Sequence, residues 1–99
     1  MTVFLNGEFV PEERALVSIF DRSFRYGDGL FEAVLVSNGK LFRWAQHFER
    51  LQRSAQFLRI GLPYSGDELR EAALELVRRN SQPEAIVRLA LSRGSGPRG

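Results

Sequence analysis

The strongest constraint on the fold is a pair of alternating apolar runs that flank Asn38-Gly39 in "LFEAVLVSNGKLFRW", residues 30–44. Asn-Gly suits the two-residue turns that join antiparallel strands, so the segment predicts a β-hairpin. Successive side chains of a strand point to opposite faces of the sheet. The first strand therefore has one face with Glu32, Val34 and Val36 and another with Phe31, Ala33 and Leu35. The pattern does not decide whether Glu32 is buried.

After Trp44 the apolar spacing changes from that of a strand to that of a helix. Ser65 and Glu68 have the spacing of a capping box, which marks the start of a second helix. The signals together predict a hairpin over residues 3–11, a short strand over 15–21, an irregular bend over 22–29, helices over 44–61 and 65–80, and a last strand over 84–92. This order predicts an α+β domain in which an antiparallel sheet has two helices packed on one face.

The composition is that of one folded domain. A chain of 99 residues with 43% hydrophobic residues can bury one modest core. It contains no cysteine and one histidine, which excludes disulfides and thiolate metal sites, and we expect no metal centre. No apolar run approaches the roughly 20 residues of a membrane span, so we expect no membrane association and a cytoplasmic location.

The basic residues are thirteen arginines and the single Lys40, with a formal net charge of +2. Arginine binds phosphate and carboxylate through a planar fork of donors, whereas lysine offers a point charge and, when desolvated, a nucleophilic amine. The sequence is therefore rich in side chains that can hold anions. A base-composition bias in the source genome explains the excess equally well.

Individual polar residues leave two interpretations open. Arg50 and Arg53 project from the flank of the first helix, either as solvated side chains or as phosphate ligands. Arg88 interrupts the last strand, and the alternation favours exposure of its side chain to solvent. His47 has no nearby serine or aspartate to form a relay, so a structural role is more typical than a catalytic one.

Two glycine-rich segments could each form part of a ligand site. In "SFRYGDGLFEAV", residues 23–34, the glycines suit a tight turn before a strand, and the bend could also carry an aromatic side chain into a pocket. In "RGSGPRG", residues 93–99, backbone N–H groups and the guanidinium groups of Arg93 and Arg98 could converge on an anion. A mobile chain end is the alternative for the second segment.

The order of these motifs resembles the fold-type IV enzymes that depend on pyridoxal 5′-phosphate (PLP), also called class IV aminotransferases. The group includes branched-chain aminotransferase, D-amino-acid aminotransferase and aminodeoxychorismate lyase. The resemblance covers nearly the whole chain and is carried by "FLNGEFV", "VSIFDRSFRYGDGLFEAV", "NGKLFRWAQHFERLQRSAQ" and "IVRLALSRGSGPRG".

The resemblance implies roles for five residues. Arg50 in "HFERL" matches the arginine that binds the cofactor phosphate. Tyr26 and Phe31 match two walls of the substrate pocket. Arg98 in "GPRG" matches an arginine that captures a substrate carboxylate, often across the interface of a homodimer. Arg88 matches a recurrent strand arginine whose role varies among subgroups, and we expect it to be a substrate-binding residue here.

The resemblance also implies what the chain lacks. The family's Schiff-base lysine lies in a large second domain, and Lys40 cannot replace it because it follows a hairpin turn. Residues 1–99 are therefore expected to form the small N-terminal domain of the parent enzyme, without the lysine-bearing domain, with no catalytic residue of their own and no activity alone. For the parent, the resemblance implies a PLP-dependent transaminase or lyase that acts on amino acids or related amines.

Among the subgroups, the "RGSGPRG" end resembles the lyase pattern more than the branched-chain pattern. The sequence therefore favours aminodeoxychorismate lyase, which forms 4-aminobenzoate and pyruvate, with a branched-chain or D-amino-acid transaminase as the alternative. Two non-enzymatic functions remain. One is single-stranded nucleic-acid binding through arginines and aromatic residues, although the twelve interspersed acidic residues argue against a nucleic-acid partner. The other is a dimerisation or interaction domain without catalysis.

Overall fold

The computed structural model describes residues 1–95 of the chain. Its elements form two antiparallel sheets and three α-helices within that range. In chain order they are β1 (Thr2–Leu5), β2 (Glu8–Pro11), a 3-10 turn (Glu12–Arg14), α1 (Arg22–Tyr26), β3 (Gly29–Ser37), β4 (Lys40–Leu41), α2 (Trp44–Leu58), α3 (Gly66–Arg79) and β5 (Ala85–Ser92).

The larger sheet has the strand order β4-β3-β5, and both pairings are antiparallel. Strand β3 is central, and its register with β5 runs from Gly29↔Ser92 to Val36↔Ala85. Strands β1 and β2 form a separate hairpin around Asn6 and Gly7, both of which have positive φ. Both hairpins that the Asn-Gly dipeptides predict are confirmed, although the second arm of the larger one is only two residues long.

The core lies on one face of the larger sheet. Val34 and Val36 of β3 are fully buried, and α2 packs against this face of β3. Leu51 and Ala55 are the buried residues of α2. Because burying a valine side chain contributes roughly 1.5–3 kcal/mol, the alternation of β3 is sufficient to fix which face turns inward.

The two long helices form where the apolar spacing predicts them. Helix α2 ends when Arg59 adopts a left-handed conformation, two residues before the predicted stop at Gly61. Helix α3 begins with the predicted capping box, in which Glu68 N donates to Ser65 Oγ at 3.1 Å and Ser65 N donates to Glu68 Oε1 at 2.9 Å. Helix α3 contacts β1 and α2.

Two predictions between β2 and β3 are wrong. Residues 15–21 form no strand and pair with no strand of residues 1–95, apart from an isolated bridge between Asp21 and Ser95, and the large apolar side chains of Leu16, Val17 and Ile19 are exposed. The predicted irregular bend contains the short helix α1, because Asp21 caps the N–H groups of Ser23 and Phe24. The predicted fold class, an α+β domain with antiparallel strands and the two long helices, is confirmed.

Candidate functional site

Strand β3 carries one buried charged residue, Glu32, on the same face as Val34 and Val36. Its side chain is only 8% exposed. An unpaired carboxylate at such a position would be strongly destabilising, so its burial requires partners. Both partners come from α2, which crosses this face of the strand.

His47 and Arg50 are three residues apart on α2, which places them on the same flank of the helix. Arg50 Nε donates to Glu32 Oε2 at 2.8 Å, and Arg50 Nη2 donates to Glu32 Oε1 at 2.8 Å. His47 Nδ1 lies 2.7 Å from Glu32 Oε1. Both carboxylate oxygens are therefore bonded, one of them twice, and the arginine contact is bidentate.

The charges of this cluster are mutually stabilised. The Arg50 guanidinium holds the pKa of Glu32 below its ordinary value, against the opposite effect of burial, and His47 lowers it further. The contact with Glu32 raises the pKa of Arg50. At neutral pH the pair is therefore a carboxylate and a guanidinium ion.

Arg50 keeps donors for a second anion. Glu32 binds Nε and one edge of Nη2, and no acceptor within residues 1–95 bonds to Nη1. The Arg50 side chain is 61% exposed, although the Glu32 carboxylate that it binds is buried. A fixed guanidinium that presents N–H groups outward has the donor set that a phosphate group requires, so these residues fit a phosphorylated cofactor such as PLP.

Phe31 and Arg88 lie on the opposite face of the same sheet. Ala33 is registered with Arg88, so Phe31 is diagonal to it, and the Arg88 guanidinium carbon lies 4.0 Å from the centre of the Phe31 ring. This is a cation–π contact. Both side chains are exposed, as the alternation predicts for Arg88. Within the described residues, the sheet separates this pair from Arg50.

Tyr26 is the last residue of α1 and is 63% exposed. The Arg25 guanidinium carbon lies 5.0 Å from the centre of its ring. Gly27 follows with φ of 68°, a conformation that glycine adopts without strain, and it turns the chain toward β3. The bend therefore places Tyr26 at the surface near the start of β3, where Phe31 also lies.

The bend is bonded to the end of β5. Ser92 Oγ donates to Asp21 Oδ1 at 2.6 Å, and Arg22 Nε donates to the carbonyl oxygen of Gly94 at 3.0 Å. A Cβ on Gly29 would lie 2.6 Å from the carbonyl oxygen of Leu91, so glycine is required where the two segments approach. The bend that carries Tyr26 is thus bonded to the segment from Leu91 to Gly94.

Arg93, for which the sequence left anion binding or a mobile chain end open, bonds to groups of the chain itself. Arg93 Nε donates to Asp28 Oδ2 at 2.6 Å, and Nη2 donates to the carbonyl oxygen of Leu58 at 2.8 Å, at the end of α2. Its guanidinium therefore joins the bend to a helix terminus, where a cation is favourable. Arg98, the other predicted arginine of this segment, lies outside the described residues.

Sequence reasoning left the burial of Glu32 open and favoured a structural role for His47, but it missed that both residues form one cluster with Arg50. The available signal was an acidic residue at an inward position of an alternating strand, followed by a histidine and an arginine on one flank of the next helix. Among residues 1–95, a shallow hollow is lined by Leu30, Arg53, Ser54, Phe57 and Leu58, and of these only Arg53 was considered as a phosphate ligand from the sequence. No helix in that range has the length and apolar character needed to cross a bilayer.

The sequence of this chain is similar to that of a known enzyme family. Residues 29–99 match the family described as Amino-transferase class IV. The chain is 40% identical over 99 residues to a protein of Methanocaldococcus jannaschii assigned as a branched-chain-amino-acid aminotransferase, and 42% identical over 96 residues to the D-alanine aminotransferase of Staphylococcus epidermidis. These alignments cover 100% and 97% of this chain but 34% of each relative. The chain thus spans about a third of their length.

Solved structures agree. The T.th. branched-chain amino acid aminotransferase, complexed with N-(5′-phosphopyridoxyl)-L-glutamate, superposes with a TM-score of 0.90 at 33% identity, over 99% of this chain and 34% of that one. A Legionella pneumophila structure assigned as a 4-amino-4-deoxychorismate lyase superposes with a TM-score of 0.82 at 29% identity, over 98% and 35%. The fold is that of the N-terminal domain of fold-type IV enzymes, and the chain belongs to the class IV aminotransferase family.

Proposed function

We propose that this chain is the small domain of a PLP-dependent enzyme that acts on amino acids or related amines, and that Arg50 binds the cofactor phosphate. The observation that carries the proposal is the bidentate Glu32–Arg50 contact, which fixes the guanidinium and leaves its outer N–H groups exposed. A dianionic phosphate would be oriented by such a fork.

The other predicted residues would act on the substrate. Tyr26 and Phe31 would bound the pocket with aromatic surface, and Arg88 and Arg98 would bind a carboxylate. PLP, when bound, supplies an electron sink for negative charge at the carbon that bears the amine. The lysine that holds the cofactor in this family would come from a large domain outside residues 1–99, so we expect no activity from this chain alone.

We propose that the parent forms a homodimer. The outer face of the larger sheet has a large exposed apolar surface formed by Phe31, Leu35 and Ile86. Further exposed apolar side chains, those of Leu16 and Phe20, lie in residues 15–21. Apolar side chains grouped on one face are typical of surfaces that another protein surface covers. The same feature supports the alternative of an interaction domain without catalysis, which predicts that the parent binds no PLP.

Among the possible activities, we propose an amino-acid transaminase. The two relatives at 40% and 42% identity are named aminotransferases, and the structure superposing at 0.90 is also an aminotransferase. The lyase is the second candidate, favoured by the "RGSGPRG" motif and by the superposition at 0.82.

Replacement of Arg50 tests the cofactor assignment. In the parent enzyme, Arg50→Ala should raise the dissociation constant of PLP by at least about tenfold, the scale of a lost charge-assisted contact. Arg53→Ala is a matched control, because Arg53 lies on the same helix, is exposed, and among the described residues forms an ion pair only with Glu49, at 3.3 Å. Equal dissociation constants for Arg50→Ala and the unmodified enzyme would refute the phosphate assignment.

Product analysis separates the two activities. The parent is incubated with amino acids plus a 2-oxo acid acceptor, and separately with aminodeoxychorismate without an acceptor. A transaminase forms a new amino acid in the first reaction only. Release of 4-aminobenzoate and pyruvate in the second reaction would replace the transaminase with the lyase.

A further inference from the structure

We propose that Glu32 is a positioning residue that sets the orientation in which Arg50 meets the cofactor phosphate. This inference rests on the proposed function, because it assumes that Arg50 binds that phosphate. It extends the candidate site to a buried residue whose two carboxylate oxygens are already bonded within the chain.

The geometry of the contact defines the plane of the guanidinium. The guanidinium is planar by resonance, and bonds from Nε and Nη2 to two different oxygens, both at 2.8 Å, prevent that plane from turning about the Cδ–Nε bond. The remaining N–H groups then point away from Glu32. A donor group held in this way loses less conformational freedom when its ligand binds than a mobile arginine side chain does.

Glu32 is itself held rigidly. It lies in the central strand of the three-stranded sheet, opposite Leu89 of β5, and its carboxylate is bonded to His47 as well as to Arg50. The His47 contact at 2.7 Å occupies Oε1 from the helix side. The carboxylate thus has a fixed backbone, a buried side chain and two partners on one helix flank.

A purely structural ion pair is the competing explanation. Replacing a buried ion pair by apolar residues is often neutral or stabilising, and neighbouring Val34 and Val36 show that apolar side chains fit this face. Moreover, the outer edge of Arg50 is exposed rather than enclosed. A buried acid that anchors an exposed guanidinium is explained better by presentation of that guanidinium to an anion.

The two explanations and simple electrostatics predict different outcomes for Glu32→Gln. Removal of a negative charge near a dianionic phosphate should strengthen binding if charge alone mattered. If Glu32 acts by orienting Arg50, binding should weaken although the local charge becomes more positive, because an amide offers only one acceptor to the guanidinium. If the pair only stabilises the fold, thermal stability should change and cofactor affinity should not.

The experiment uses the full-length parent and compares Glu32→Gln, Arg50→Ala, the double variant and the control Glu75→Gln. Glu75 pairs with Arg78 and Arg79, which lie on α3 with it, and does not belong to the Glu32–Arg50 cluster. We measure the PLP dissociation constant by absorbance, the phosphorus-31 resonance of bound PLP and the thermal unfolding of the apoprotein. Glu32→Gln should raise the dissociation constant roughly three- to tenfold and broaden the resonance, as expected for coupled residues.

In the Arg50→Ala background, Glu32→Gln should have no further effect on the dissociation constant. The inference is overturned if Glu32→Gln leaves PLP binding unchanged or tighter while Arg50→Ala weakens it. If Arg50→Ala has no effect either, the proposed function fails instead. If Glu32→Gln does not fold, Glu32→Asp carries the test, since it keeps the charge but withdraws the carboxylate by one methylene; unchanged PLP binding in that variant overturns the inference.

Discussion

Glu32 and Phe31 are consecutive residues of β3, yet they build two regions of different character. On the inner face, Glu32 is buried and bonded to His47 and Arg50 within 2.8 Å. On the outer face, Phe31 is exposed and makes a cation–π contact with Arg88, which is also exposed. The bonds that hold Glu32 and Arg50 all lie within residues 1–95, whereas the outer region is an open surface whose other walls we propose to come from the rest of the parent.

This difference has a physical basis in the strand. Alternation separates adjacent side chains to opposite faces, so one strand can support a rigid anchor and a ligand-facing surface at the same point along its length. The helix α2 covers one face only. The comparison therefore predicts that substitutions on the inner face change folding and cofactor retention, while those on the outer face change substrate binding.

The largest expected effect is on stability. Val34→Ala should destabilise the isolated 99-residue chain by about 2 kcal/mol, because a fully buried side chain is truncated and leaves a cavity. Leu35→Ala, one residue along on the outer face, should cost within about 0.5 kcal/mol in the same chain. Urea unfolding followed by circular dichroism measures both. Equal losses for the two variants would contradict the assignment of inner and outer faces.

The next largest effect distinguishes the role of Arg88 from that of Arg50. In the parent, Arg88→Ala should lower kcat/KM for a carboxylate-bearing substrate by about tenfold, the scale of a lost charge-assisted contact, without changing the PLP dissociation constant. Arg50→Ala should raise the PLP dissociation constant and, when assayed at saturating PLP, leave kcat/KM for the same substrate unchanged. Steady-state kinetics together with PLP titration make the comparison. A loss of PLP affinity in Arg88→Ala would mean that the two faces are not functionally separate.

The smallest effect is on acid stability. The pKa of Glu32 is lowered in the folded chain, so its stabilising contribution is present above the unfolded value of about 4.5 and is lost as pH falls through the lower folded value. Asp21 behaves in the same way, chiefly because Ser92 donates to it. The melting temperature should therefore fall as pH decreases below about 4.5, and less steeply in Glu32→Gln. Identical pH profiles would argue against an ionised Glu32 in the folded state.

The sequence was sufficient to predict the elements that a regular spacing of apolar side chains or a capping motif marks. The alternation of β3, the helical spacing of α2 and the capping box of α3 each reflect a local preference that packing reinforces. The strand predicted over residues 15–21 was wrong because a short apolar run is typical of a strand even where its side chains are exposed, as Leu16 is at 77%. Helix α1 was missed because five residues are too few to show a helical period.

The candidate site was predicted only in part for a different reason. Arg50 and Arg88 could be singled out from residue type and position, and the family resemblance supplied their roles. The bond between Glu32 and Arg50 depends on where α2 crosses β3, which is a tertiary relation that no local pattern contains. The same holds for Arg93, whose partners Asp28 and Leu58 come from two distant segments.

The most direct test of the account is a crystal structure of the parent enzyme with PLP bound. We expect an outward N–H group of Arg50 within about 3 Å of a phosphate oxygen, while both bonds from Arg50 to Glu32 are retained. A phosphate bound elsewhere, with Arg50 turned to solvent, would contradict the assignment of Arg50. A phosphate bound by an Arg50 that has released Glu32 would contradict the positioning role of the buried acid.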